Sequence, residues 1–178
     1  MKSLKTLVSL SALAVCMGAA SAANAFSISP NGPFSANGTI SVQSPSSFGA
    51  TVNCGVTFGG TVASGIATIT SASLTGGGLC ALPTLKNIPT PGWVLTPTSL
   101  TGGTVSGVGY TIASSFLFPA TDCGPTTINV NYNNTTHVLS AAGQTLTGHT
   151  TGSGNQNCTI TSLNVTVTSP TNLVITNP

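Results

Sequence analysis

Apolar residues recur at every second position through several stretches of this chain. Ala50, Val52, Cys54, Val56 and Phe58 alternate with polar or small residues without a break. Ile128, Val130 and Tyr132 repeat the pattern, as do Leu163, Val165 and Val167. A period of two gives a strand one apolar face. The first run turns Cys54 inward, where a core disulfide can form. Cys158 and Ile160 precede the last run, but the parity changes between Ile160 and Leu163, which predicts a bulge or bend. Helix signals are nearly absent beyond residue 25, where Glu, Lys, Gln and Arg are scarce.

Turn residues divide these stretches. Asn37-Gly38 predicts a tight hairpin, because both residues tolerate positive φ. Gly76-Gly77-Gly78 predicts a loop ahead of Cys80, and Gly102-Gly103 and Asn133-Asn134 mark further turns. Pro83, Pro89 and Pro91 make residues 82–93 irregular or an edge. Short strands with Gly- and Pro-rich turns predict an all-β fold, a single antiparallel β-sandwich or barrel-like domain.

The first 25 residues follow a different pattern. Lys2 and Lys5 are followed by an uncharged apolar run at residues 7–18 and by Ala23-Asn24-Ala25. This is the pattern of a secretory signal peptide, with cleavage expected before Phe26. The run is shorter than the roughly 20 residues that cross a bilayer, and no later segment is long enough to serve as a transmembrane segment. Removing 25 of the 178 residues leaves 153, a length that suits one domain over 26–178. The expected location is extracellular, by way of the periplasm.

Charge sharpens that picture. Beyond the leader, Lys86 and Asp122 are the remaining Lys, Arg, Asp or Glu side chains. Soluble domains usually carry about 25% charged residues. A near-neutral surface of Thr, Ser, Asn and Gly favours self-association and adsorption. It offers no basic patch for phosphate, so nucleic acid is excluded as a partner. Four cysteines follow the leader: Cys54, Cys80, Cys123 and Cys158. An even number in an exported chain predicts two disulfides. Three pairings are open to sequence reasoning. Cys54 with Cys80 and Cys123 with Cys158 is the preferred pairing, because each loop closes within one half of the chain.

Candidate chemistry is sparse. With Asp122 as the one carboxylate side chain after the leader, paired-carboxylate hydrolysis has no second acid. A triad could be written from Asp122, His137 or His149 and a serine, but no G-x-S-x-G elbow supports it. Asp122 is expected to cap a turn, Lys86 to meet water, and both histidines to be exposed and uncoupled. No close cysteine pair suggests zinc. The expectation is therefore no enzyme, no metal and no cofactor. Trp93, Phe116 and Phe118 are candidates for an apolar contact patch. Phe116 and Phe118 alternate, so they could share one side of a strand; filling the core is the competing role. Phe26, Ile28 and Phe34 could form a terminal strand that either pairs with a neighbouring subunit or closes its own domain.

The leader through Ala23-Asn24-Ala25-Phe26, Asn53-Cys54, Cys123-Gly124-Pro125 and the Thr-rich strand after Cys158 together resemble a small exported bacterial family, the protein activators of alkane oxidation. The resemblance implies an extracellular accessory protein that helps cells use liquid alkanes by emulsification or cell–oil contact, with the oxidation left to other proteins. A hydrocarbon or oil–water interface is then the expected partner. The competing function is a subunit of an extracellular fibre or biofilm matrix assembled by β-strand addition.

Overall fold

The computed structural model describes residues 26–149 and 156–177. Residues 1–25, expected from sequence to be a signal peptide, lie outside the described residues. Eleven strands follow in order: β1 Ser27–Ser29, β2 Gly32–Gln43, β3 Val52–Ala63, β4 Ile66–Thr75, β5 Thr84–Leu85, β6 Trp93–Ser99, β7 Gly102–Ile112, β8 Thr121–Asn133, β9 Val138–Leu146, β10 Cys158–Ser169 and β11 Val174–Thr176. Two short 3-10 turns, Pro45–Ser47 and Gly78–Ala81, lie in the connections.

Eight strands pair in the order β7-β6-β4-β3-β2-β10-β9-β8, and a ladder between β7 and β8 closes them into an antiparallel barrel. That closing ladder decides between the two expected β architectures. Closure leaves no free edge around most of the wall. The predicted alternation appears as burial. Cys54, Val56 and Phe58 point inward, as do Ile128, Val130 and Tyr132, and Leu163, Val165 and Val167. The parity change in β10 coincides with a register shift between Ile160 and Ser162. Val62, Leu146 and Val165 are almost wholly enclosed. Burying such a side chain stabilises the fold by about 1.5–3 kcal/mol. The intervening outward positions are largely Thr, Asn, Ser and Gly, for example Asn129, Asn131 and Asn133 on β8. A lipid-spanning barrel has the reverse pattern, an apolar band outside.

Asn37-Gly38, expected to form a hairpin, lies in the middle of β2. Gly38 pairs with Val165, and a Cβ there would come within 2.0 Å of the Asn164 carbonyl. The glycine permits close strand approach in the curved wall rather than a turn. The amino-terminal strand closes its own domain. β1 pairs with β11 through Ser27 and Thr176, and Ile28 is buried beneath it.

Two disulfides, Cys54–Cys80 and Cys123–Cys158, close stretches of 26 and 35 residues. The pairing is the one that keeps each loop within its own half. The first ties β3 to the turn Gly78–Ala81. The second ties β8 to β10.

Candidate functional site

The barrel has two unlike ends. Hairpin turns such as Ser64-Gly65 and Leu100-Thr101 close one end. The other end carries the longer connections at residues 44–51, 76–83 and 113–120. Pairing places these together: Val42 faces Val52, Gly55 faces Thr75, and Ile112 faces Thr121.

Two of the connections are clamped to each other. The Ser46 amide donates to Thr121 Oγ1 at 2.9 Å, and the two hydroxyl oxygens are 2.6 Å apart. Ser46 Oγ also donates to the Pro119 carbonyl at 2.9 Å. Both residues are almost completely buried, so these bonds fix the loops in water's absence. Within the 113–120 loop, the Ser115 amide donates to the Phe118 carbonyl, and Ser115 Oγ accepts from the amides of Leu117 and Phe118.

The clamp presents apolar side chains outward. Phe116 is fully exposed, Phe48 is 75% exposed and Leu117 67%. Phe48 also has φ of 53°, a left-handed conformation uncommon for an aromatic residue. Leu82 adds a 45% exposed side chain from the 76–83 connection. The hairpin end is weaker in this respect, with Ile66 at 38% and Leu100 at 47%.

The three aromatics singled out from sequence take different positions. Trp93 is buried in the barrel, edge-on to Phe58 at 6.0 Å, with Nε1 donating to the Lys86 carbonyl at 2.8 Å. Phe118 is half-buried in the loop, and Phe116 stands in solvent. Neither Phe116 nor Phe118 lies on a strand. Their alternation reflects a turn organised by Ser115, not a sheet face. Phe48 and Leu117 did not emerge from periodicity. The signal for Phe48 was a lone aromatic inside the turn-forming Pro45-Ser46-Ser47-Phe48-Gly49.

The sparse polar groups are more engaged than their settings suggested. Lys86 Nζ donates to Asp122 Oδ1 and to the Gly124 carbonyl, so the two charges pair with each other, both still partly exposed to water, rather than standing alone or capping a turn. His137 Nδ1 donates to the Leu173 carbonyl at 2.9 Å, which also accepts from the Tyr132 hydroxyl at 2.7 Å. His137 is therefore part of the seam that holds β11 to the barrel. His149 is exposed, and its amide donates to the Asp122 carbonyl. Among the described residues, no group of three His, Cys, Asp or Glu could hold a metal ion. Among the same residues, no helix is long and apolar enough to cross a membrane.

Inside the barrel, near the loop end, lies a cavity of about 80 Å³. Its lining is almost wholly apolar and includes Val56, Ile69, Val105, Ile112 and Leu163, with Ser44 and Tyr110 as hydroxyl-bearing exceptions. The wall beside it is incomplete. β4 meets β6 through Ala67, Thr68 and Ile69, β5 contributes two pairs to β7, and no ladder joins the second half of β4 to β5. The turn Gly78–Ala81 packs against β3 and β4 beside that break, and its Leu79 lines the cavity.

The site is thus a closed barrel with an apolar interior and a loop end that exposes Phe48, Phe116 and Leu117. A family model described as alkane oxidation protein activator PraA/PraB-like matches residues 1–175, and the chain belongs to this family. No curated protein and no solved structure gives a significant match.

Proposed function

We propose that this activator of alkane oxidation is an exported, non-enzymatic accessory protein that places its loop end on liquid hydrocarbon. One observation carries the reading: Phe48, Phe116 and Leu117 project from two connections clamped by Ser46 and Thr121. Exposed aromatics on a rigid mount lose little conformational freedom when they enter oil. The surrounding surface has almost no charge to resist crowding at the boundary. Two disulfides suit an oxidising compartment outside the cytoplasm. Activation then consists of dispersing the alkane or bringing it to the cell, with oxidation carried out by other proteins.

Assembly into a fibre by strand addition finds less support. The closed barrel leaves short edges, such as two-residue β5, among the described residues. The test adds purified mature protein to hexadecane in buffer and follows interfacial tension and droplet size. Tension should fall and droplets should shrink, with little dependence on salt because so few charges can be screened. Unchanged tension with ordered filaments in the same sample would replace this reading with the fibre.

A further inference from the structure

The interior cavity contains an unanswered polar group. Tyr110 is 8% exposed, lines the cavity, and its hydroxyl has no hydrogen-bond partner. Ser44, also buried, lines the same space. Its hydroxyl is near enough to temper the effect of burial on the phenol, but the two do not make a hydrogen bond of ordinary geometry. Buried hydroxyls are almost always satisfied, so an orphan beside a cavity points to a missing partner.

The chemistry of the space narrows that partner. The lining beyond the two hydroxyls is apolar, so most of the occupant must be hydrocarbon. A carboxylate is excluded, because a buried charge needs a counter-charge. Lys86, the one described Lys or Arg, is already held by Asp122 and the Gly124 carbonyl. A plain alkane would fill the space but leave the Tyr110 hydroxyl unpaired. A neutral molecule with one hydroxyl at the end of a linear chain satisfies both requirements.

We infer that the barrel interior is a binding site for a linear primary alcohol, with its hydroxyl against Tyr110 and Ser44 and its chain along the apolar lining. A water-sized group needs roughly 10–15 Å³ of such space. The cavity of about 80 Å³ therefore holds about five to eight non-hydrogen atoms, the size of a primary alcohol with about four to seven carbons. Leu79, beside the break between β4 and β5, stands where a chain would pass through the wall. This site does not depend on the loop end meeting oil, and either activity can be lost without the other.

The experiment titrates the oxidised mature protein with 1-hexanol, hexane and hexanoate, following binding by NMR. Saturable 1-hexanol binding is expected, with contacts from its C1 protons to the Tyr110 ring. Hexanoate should not bind in the cavity. Tyr110→Phe should weaken 1-hexanol about tenfold, the effect of one lost buried hydrogen bond, and leave hexane unchanged. Should that variant fail to fold, the C1 contacts in the wild type still decide the matter. Absence of saturable 1-hexanol binding would overturn the inference. So would contacts only at the loop surface, equal binding of hexanoate, or an unchanged alcohol affinity in a folded Tyr110→Phe protein.

Discussion

Replacing Phe48, Phe116 and Leu117 together with serine should separate adsorption from folding. Full burial of a Phe or Leu side chain is favourable by about 1.5–3 kcal/mol. Phe116 is fully exposed, and Phe48 and Leu117 expose three quarters and two thirds of their surface. Scaled by those fractions, transfer of the three from water into oil contributes about 4–7 kcal/mol. Their loss should lower partition to a hexadecane surface by roughly three to five orders of magnitude. The fold should hardly notice, because exposed positions away from special features usually change stability by less than about 0.5 kcal/mol. Phe48 could exceed this through its positive φ, and serine there is no worse placed than phenylalanine. The assay is depletion of protein from buffer onto hexadecane droplets, with thermal unfolding measured on the same samples. A variant that adsorbs like the wild type while folding normally would refute the assignment of the loop end.

Three further outcomes follow from the buried groups. Tyr132→Phe should destabilise the protein by about 0.5–1.5 kcal/mol, since the Tyr132 hydroxyl donates to the Leu173 carbonyl, whereas Tyr110→Phe removes an unpaired hydroxyl and should leave the empty protein as stable or more so; chemical denaturation distinguishes the two. Burial pushes the Tyr132 phenol up to about 12 and raises Tyr110 as well, Ser44 offsetting part of the latter. The folded state thus favours the neutral phenols: their contribution is complete below the ordinary tyrosine value near 10 and is lost as pH rises from about 10 toward 12, as alkaline unfolding monitored by circular dichroism should show. Reducing both disulfides, which close 26 and 35 residues, should cost about 3–4 kcal/mol each and lower the denaturation midpoint.

Strand identity was legible because the wall alternates strictly where one face meets the core. Val52 through Phe58 and Ile128 through Tyr132 needed no tertiary knowledge, although Ala50, counted in the first alternation, lies before β3 and is exposed. Even the bulge after Ile160 was visible as broken parity. Asn37-Gly38 misled because glycine serves two ends: it permits positive φ in turns, and it permits close approach where β2 and β10 meet. Nothing local distinguishes the two. Barrel closure was not readable at all, since it rests on the β7–β8 ladder as well as on long-range pairs such as Ser41 with Ser162. The site was half legible. Phe116 stood out only through its alternation with Phe118, which suggested a strand face rather than a loop, and its clamp depends on Ser46 meeting Thr121 across 75 positions. Tyr110 looked like any inward strand residue. Its importance arises from what the barrel fails to place beside its hydroxyl.

The most direct test of hydrocarbon contact is oxidative footprinting of the mature protein adsorbed on hexadecane droplets, compared with the protein in buffer. Phe48, Phe116 and Leu117 should become protected on the droplet. Ile66 and Leu100, exposed at the opposite end of the barrel, should label as they do in solution. Protection of Ile66 and Leu100 with the loop residues still labelled would contradict the account, as would uniform labelling of both ends.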